Sequence, residues 1–156
     1  AQTGHLVFST LHTNDAPQSI TRLMNMGVPT YNITSAVNLV IAQRLMRRLH
    51  VCKQPEDMPK EALLQAGFKE DEIEDLTIYK PVGCADCNGG YKGRNGVFEV
   101  MPISDTIARI ILEEGNAIRI AQQAREEGIN DLRRSALHKV AEGVTDLIET
   151  NRVTKD

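Results

Sequence analysis

Four residues with metal-binding side chains have the types and spacing that suit a zinc ion. Cys84 and Cys87 are separated by two residues in a turn-rich stretch that continues Asn-Gly-Gly. Two thiolates at this spacing can share one tetrahedral ion, and the glycines allow the tight turn around it. His50 and Cys52 supply the second pair that such a site needs. The residues predict a structural His/Cys₃ site, because four protein ligands leave no open coordination position.

Two other uses of these cysteines stay open at this point. A redox pair normally lies at a helix N-terminus, where the helix dipole lowers the pKa of the first thiol, whereas glycines follow Cys87. Simple buried thiols are the second alternative, because free cysteine is often buried. The half-site His50-Val51-Cys52 has one intervening residue, which is tighter than the two to four usual in zinc sites.

The second candidate for chemistry is a histidine at the end of a predicted strand. The run His5–Leu11 has the composition and length of a buried strand, and the turn His12-Thr13-Asn14-Asp15 follows it. Ligands of open α/β sheets bind at the carboxyl ends of strands, so His12 could face one. A solvated or purely structural histidine is the alternative. No G-x-x-x-x-G-K-[ST] motif is present, so this chain does not by itself form a P-loop.

Composition excludes several classes of protein. The 156 residues are 41% hydrophobic and 25% charged, which is ordinary for a globular domain. The net charge of −3 argues against a general binder of nucleic-acid backbone. A zinc-ribbon nucleic-acid binder is further disfavoured, because the segment 56–75 of the metal region is acidic and would repel the phosphate backbone. Three cysteines do not make a disulfide framework and indicate a reducing cytoplasm.

The elements that must position these residues follow an α/β pattern. The run His5–Leu11 predicts a strand, and Asn95–Met101 alternates as a second one. The apolar spacing and the capping residues predict eight helices: Ala16–Met26, Ile33–Leu49, Lys60–Ala66, Glu70–Leu76, Asp105–Glu114, Ala117–Glu127, Leu132–Glu142 and Asp146–Arg152. Arg44, Arg47 and Arg48 are expected at the C-terminal end of the second helix, where cations complement the helix dipole. No membrane span or signal peptide is expected, and the chain, which begins with Ala1, is expected to come from a longer protein.

Several segments together resemble a known family. The sequence T-G-H-L-V-F-S-T-L-H-T-N-D-A at Thr3–Ala16 resembles the histidine box of the type II secretion/type IV pilus motor ATPases. The segments Ala42–Leu49, Tyr79–Cys87 and Gly90–Arg94 resemble the family sequence around its metal-binding motif. The tail, from E-E-G-N to N-R-V-T-K-D, resembles the pilus assembly (extension) branch. One departure is the His-Val-Cys at His50, where the family usually has C-x-x-C.

The resemblance implies a fold and a division of the chain. The family's Walker A loop, aspartate box and Walker B carboxylates lie upstream of the histidine box and are absent here. The chain is therefore expected to be the C-terminal portion of a RecA-like ATPase core of the α/β class. Residues 1–49 would belong to this core, 50–94 to an inserted zinc-binding subdomain, and 95–156 to the last core strand and a C-terminal helical subdomain.

The resemblance also implies a function and the residues that serve it. The expected protein is a cytoplasmic hexameric motor that uses ATP and Mg²⁺ to drive type IV pilus assembly, and this chain alone is expected to be inactive. His12 and Arg94 would be catalytic, Thr13 would contact the nucleotide, and His50, Cys52, Cys84 and Cys87 would bind structural zinc. Expected partners are five further copies, an inner-membrane platform protein and a small regulatory adaptor, but not nucleic acid. A zinc-stabilised protein-interaction module without enzymatic activity is the alternative.

Overall fold

The computed structural model describes residues 1–154 and has an α/β architecture. Lys155 and Asp156, which end the expected domain 95–156, lie outside the described residues. The elements along the chain are α1 (Ala16–Asn25), α2 (Thr30–Ala36), β1 (Leu39–Leu49), β2 (Gln54–Glu56), α3 (Lys60–Ala66), α4 (Glu70–Ile73), β3 (Ile78–Lys80), β4 (Tyr91–Pro102), α5 (Asp105–Leu112), α6 (Ala117–Glu126), α7 (Leu132–Ala141) and α8 (Leu147–Thr154). Within the described residues, no helix is both long enough and apolar enough to span a membrane.

The chain divides into two compact units, of which the first contains residues 1–43 and 98–131. In this unit α1 packs on α6, α2 packs on α5, and α5 packs on α6. The core is aliphatic because these helices carry isoleucines on one face, and the side chains of Ile20, Ile33, Ile107, Ile111 and Ile120 are fully buried. The three longer helices begin at polar N-caps, Asp15, Ser104 and Asn116, whose side chains accept a backbone N–H of the first turn.

The second unit contains residues 44–97 and 132–156. Its core is formed by apolar side chains of α3, β3, α7 and the segments next to them: Leu63, Phe68, Ile78, Leu137, Val140 and Leu147. Strands β2 and β3 pair antiparallel, with Gln54 opposite Lys80. Because Gln54 is opposite Lys80, the segment before β2, which carries Cys52, and the segment after β3, which carries Cys84, lie at the same end of this two-stranded sheet.

The strands β1 and β4 form a two-stranded ribbon that belongs partly to each unit. They run in opposite directions, since the N–H of Ile103 bonds the carbonyl of Asn38 at 3.0 Å and the N–H of His50 bonds the carbonyl of Gly90 at 2.8 Å. The expected strand Asn95–Met101 is thus confirmed within β4.

The expected helix Ile33–Leu49 is wrong for most of its length. Helix α2 ends at Ala36, and β1 occupies Leu39–Leu49. The apolar spacing there fits either structure, and pairing with β4 decides for the strand, which the β-branched Val40 and Ile41 also favour. The arginines of this segment therefore lie in a strand and not at a helix end.

The expected strand His5–Leu11 is also wrong for this chain. The segment has no regular secondary structure, and Leu6 and Phe8 are 81% and 89% exposed. A strand is stable only when a neighbouring strand bonds its N–H and C=O groups, and no strand among residues 1–154 pairs with this segment. Its apolar side chains consequently remain uncovered.

Candidate functional site

The four predicted metal ligands come together at one end of the second unit. His50 follows β1 directly, Cys52 lies in the next turn, and Cys84 and Cys87 lie in the loop between β3 and β4. The hydrogen bond from the N–H of His50 to the carbonyl of Gly90 brings the end of β1 to the start of β4. Strand pairing thereby unites two half-sites that are far apart in the sequence.

The distances within this cluster fit a tetrahedral zinc ion. All four ligand atoms lie within 4.8 Å of one another. The Sγ atom of Cys87 is 3.8 Å from that of Cys52 and 3.6 Å from that of Cys84. Zinc–sulfur bonds of about 2.3 Å at tetrahedral angles imply sulfur–sulfur separations of about 3.8 Å. The cysteines are free thiols, at distances far longer than the roughly 2.05 Å of a disulfide bond.

The histidine presents its Nδ1 atom to the cluster. This atom is 3.4 Å from the sulfur of Cys52 and 3.4 Å from the sulfur of Cys84. Zinc bound to one nitrogen and one sulfur at ordinary bond lengths separates them by about 3.5 Å. The short His-Val-Cys spacing therefore fits the site when Nδ1 is the ligand.

Backbone N–H groups stabilise the sulfur atom of Cys87. The N–H of Cys84 donates to the Sγ of Cys87 at 3.2 Å. Burial raises the pKa of the Cys87 thiol, but the N–H groups of Cys84 and Gly90 outweigh this effect and hold the pKa below its ordinary value. Gly90 has a φ of +92°, and a Cβ there would lie 2.4 Å from the Cβ of Pro81, so no other residue fits.

The segment around His50 is hydrogen-bonded to the turn between α7 and α8. The N–H of Leu49 donates to the carbonyl of Val144 at 2.8 Å, and the hydroxyl of Thr145 donates to the carbonyl of Arg47 at 3.0 Å. Lys53 donates to the carbonyl of Gly143 and lies 4.5 Å from the ring centre of Tyr79. These contacts hold the segment 47–53 on both sides of His50.

The buried carboxylate of Glu149 makes further contacts with this segment. Glu149 in α8 is 0% exposed, accepts from the backbone N–H of Arg47 at 2.8 Å, and forms ion pairs with Arg47 and Arg152. Burial alone would raise its pKa, but the hydrogen bonds from Arg152 and Arg47 lower it to about 2. The phenol of Tyr91 lies under the guanidinium of Arg47 and donates to Asp146 at 2.7 Å. Sequence reasoning missed this network, because Arg47 and Glu149 are 102 positions apart and Glu149 is one of several polar residues in α8.

We expect Glu149→Gln to lower the free energy of unfolding by about 3 kcal/mol at pH 7, because a fall in pKa from 4.5 to about 2 corresponds to this amount. The contribution is present above about pH 4.5 and disappears as the pH falls towards 2, since protonation removes the charge that the arginines bind. Urea unfolding of the wild type and the variant from pH 3 to pH 7 measures the difference. Glu142→Gln, which breaks the exposed pair with Lys139, is the matched control. A difference below about 0.5 kcal/mol at pH 7, the level of a surface pair, would contradict the assignment.

The predicted catalytic histidine lies elsewhere. His12 and Thr13 belong to the first unit, whereas Arg94 and the four metal ligands belong to the second. His12 is exposed, and Thr13 shares a hydrogen bond of 2.6 Å with the hydroxyl of Ser19. Asp15 caps α1 by accepting from the N–H of Gln18 at 2.7 Å. The turn that carries His12 is thus folded onto the first turn of α1.

Arg94 follows a local irregularity of β4. Between the hydrogen bonds at the two ends of the ribbon, β4 advances from Gly90 to Ile103 while β1 advances from Asn38 to His50, so β4 holds one residue more. One extra residue in one strand is the definition of a β-bulge, and a glycine in the left-handed region is typical of one common type. Gly93 has a φ of +79°, which favours Gly93-Arg94 as the position of the bulge. Bulges change the direction of a side chain, and the side chain of Arg94 is exposed.

Comparisons with known proteins identify relatives along the whole chain. The model of the family "Type II/IV secretion system protein" matches residues 1–152. The chain is 57% identical to the type IV pilus assembly ATPase PilB of Pseudomonas aeruginosa and 46% identical to that of Myxococcus xanthus, covering 100% and 96% of this chain. It is 40% identical to the type II secretion system ATPase E of Vibrio cholerae, over 99% of the length of this chain. The chain spans about 28%, 27% and 30% of these relatives, respectively.

A solved structure shares the fold. The crystal structure of the pilus retraction motor PilT with bound ADP aligns with 99% of this chain at a TM-score of 0.61 and 19% sequence identity. The aligned part is 34% of that chain. At this identity the likeness concerns the fold alone, and it agrees with the expected α/β class.

Proposed function

Because this chain belongs to the type II/IV secretion system protein family, we propose that it is part of a motor ATPase that drives assembly of type IV pili. The observation that carries the proposal is the 57% identity to a pilus assembly ATPase across the whole chain. The relatives named for pilus assembly match with higher identity than those named for type II secretion, which favours the pilus. Since the chain spans about 28% of its relatives, the activity belongs to the longer protein.

Uncovered apolar surface in the first unit supports this view of a longer protein. Leu6 and Phe8 are mostly exposed, and the apolar side chains on one face of the ribbon, Leu39, Ile41, Phe98 and Val100, are about half exposed. Exposed large apolar side chains that cluster on one surface are typical of interfaces. In the longer protein these residues are covered by the rest of a RecA-like core, of which this chain is the C-terminal portion. We retain the division into residues 1–49, 50–94 and 95–156 as part of the proposal.

Zinc has a structural role in this proposal. His50 Nδ1 and the thiolates of Cys52, Cys84 and Cys87 are the ligands. When bound, the ion cross-links the end of β1 to the loop before β4. Four protein ligands fill its coordination shell, so it supplies folding energy and no Lewis acid for the reaction.

The reaction proposed for the longer protein is hydrolysis of ATP with Mg²⁺. His12 donates to the γ-phosphate as negative charge develops there, and the adjacent Thr13 contacts the nucleotide. Arg94 reaches a neighbouring subunit of a homo-hexamer, where its planar guanidinium binds phosphate or carboxylate. The motor works in the cytoplasm at the inner membrane, with a platform protein and a small regulatory adaptor as partners.

Turnover of ATP by the full-length protein and by this chain alone tests the proposal. We expect Mg²⁺-dependent hydrolysis by the former and none by the latter, because the chain has no P-loop. Arg94→Ala should reduce turnover most at low protein concentration, where assembly of subunits limits activity. Arg48→Ala, which removes another exposed arginine of the ribbon, is the control.

Two results would contradict this function, and a third would contradict the role of Arg94. Turnover by the 156-residue chain alone would mean that the active site lies within it. An inactive full-length protein that still binds zinc would favour the metal-stabilised interaction module. An Arg94→Ala protein with the rate and concentration dependence of the wild type would make Arg94 an ordinary surface residue.

A further inference from the structure

A buried carboxylate in the first unit has no role in the function proposed above. Glu99 is 3% exposed and lies two residues before Met101, which is 0% exposed, on the inward face of β4. Alternation along a strand leads one to expect an apolar side chain at such a position. An acid here therefore calls for a specific partner.

That partner is the start of α1. The N–H of Ala16, the first residue of the helix, donates to Oε2 of Glu99 at 3.1 Å, and Ala16 is itself 0% exposed. The first N–H groups of a helix have no partner within the helix. Asp15 satisfies the N–H of Gln18, and Glu99 satisfies that of Ala16 from a strand distant in sequence.

The surroundings of Glu99 disfavour its negatively charged form. Burial, together with the neighbouring carboxylates of Asp15 and Asp131, raises its pKa to about 7, and the N–H of Ala16 lowers it by less. Asp15 belongs to the N-cap of α1, and Asp131 follows α6. A glutamine could accept the same hydrogen bond without a charge. Residues that lower stability in this way are found mainly at functional sites. Glu99 is therefore a candidate for a functional role.

The contact links β4 to the turn that carries His12. The hydroxyls of Thr13 and Ser19 are 2.6 Å apart, and that of Ser19 donates to the carbonyl of Asp15 at 3.1 Å. The turn is therefore tied to the first turn of α1, and α1 is tied to β4 by Glu99. We propose that Glu99 is a positioning residue that holds the turn bearing His12 and Thr13 against β4 through the N–H of Ala16. The reaction that this geometry serves rests on the proposed function.

Amide hydrogen exchange in this chain tests the contact without any enzymatic assay. We expect the amide of Ala16 to exchange roughly tenfold to hundredfold faster in Glu99→Ala, which corresponds to the loss of a hydrogen bond to a charged group. Glu99→Gln should retain most of the protection, because its carbonyl can accept the same bond. Unchanged exchange at Ala16 in Glu99→Ala would overturn the proposal.

Kinetics of the full-length protein test the consequence for the reaction. Glu99→Ala should lower kcat roughly tenfold or more with a smaller change in KM for ATP, because misplacement of a catalytic group affects the transition state most. Glu99→Gln should restore most of kcat, because its carbonyl can accept the hydrogen bond from Ala16. Glu113→Gln, which changes an exposed carboxylate of the same unit, is the control.

The two experiments separate failure of this inference from failure of the proposed function. A full-length protein without ATPase activity would refute the function, while exchange at Ala16 would still decide whether Glu99 holds the turn. An active protein in which Glu99→Ala keeps kcat within twofold of the wild type would show that Glu99 does not position the site. If Glu99→Ala does not fold, Glu99→Leu, which keeps a side chain of similar size but has no acceptor, decides by the same exchange measurement, and unchanged exchange at Ala16 overturns the proposal.

Discussion

A Cys84→Ser protein is expected to contain no zinc, whereas the wild-type chain is expected to contain one zinc ion. The sulfur of Cys84 lies 3.6 Å from that of Cys87 and 3.4 Å from Nδ1 of His50, so removing it opens one corner of the tetrahedron. A serine hydroxyl is a poor substitute for a thiolate. Structural zinc in small domains contributes about 10–16 kcal/mol of apparent binding energy, so its loss should be the largest single effect in the second unit.

The loss of zinc should also disorder the segment 52–94 before the C-terminal helices. The sheet of β2 and β3 has only two strands of three residues each, which is too small to be stable by itself. Metal analysis of the purified chain, combined with amide exchange, measures both effects. Ala85→Ser is the matched control, because it adds a hydroxyl between the two cysteines and removes no ligand.

Removal of the histidine ligand should have a smaller effect. His50→Ala leaves three thiolates, and a water molecule can take the fourth position. We therefore expect weaker binding without complete loss, measured by competition with a zinc chelator. Equal zinc content in the Cys84→Ser and wild-type chains would disprove the ligand set.

The second large effect is expected in the full-length protein, where His12→Ala should lower the turnover of ATP roughly a hundredfold or more. A donor that strengthens only as charge develops in the transition state is typically worth about 3–4 kcal/mol. His12 is exposed, so its loss should leave folding and assembly unchanged. Turnover and subunit association, measured on the same preparation, separate these effects.

A nearby histidine provides the control for this prediction. His5 is exposed in the same segment, and its Nδ1 is 3.2 Å from the hydroxyl of Thr3. His5→Ala should keep the wild-type rate. A His12→Ala protein that turns over ATP within about twofold of the wild type would assign a structural role to this histidine, since the expected catalytic loss is far larger.

Local signals in the sequence predicted the features that depend on neighbouring residues. Apolar spacing and caps predicted seven of the helices to within a few residues at their ends, and α3 matches the expected Lys60–Ala66. Cys84-x-x-Cys87 was recognisable because both ligands lie in one turn. The structure brings the ligand atoms of His50 and Cys52 within 4.8 Å of those of Cys84 and Cys87, and the binding of zinc by these residues stays a prediction.

Features that depend on distant residues could not be predicted in this way. The segment 39–49 has apolar residues at spacings that suit a helix, and only its pairing with β4 makes it a strand. The segment 5–11 has the composition of a strand but no partner strand in the described chain. The contacts of Glu149 with Arg47 and of Glu99 with Ala16 join residues that are 102 and 83 positions apart, so no local pattern predicts them.

The link between Arg47 and Glu149 also bears on the order of events during synthesis. Its two residues are 102 positions apart, so β1 leaves the ribosome long before α8 exists. Pairing of such distant segments is slow to form, because the chain between them must first be ordered. All four zinc ligands, by contrast, have been made once Cys87 is complete. In the proposed structural site, zinc can therefore organise the loop first, and Glu149 forms its contacts with Arg47 afterwards.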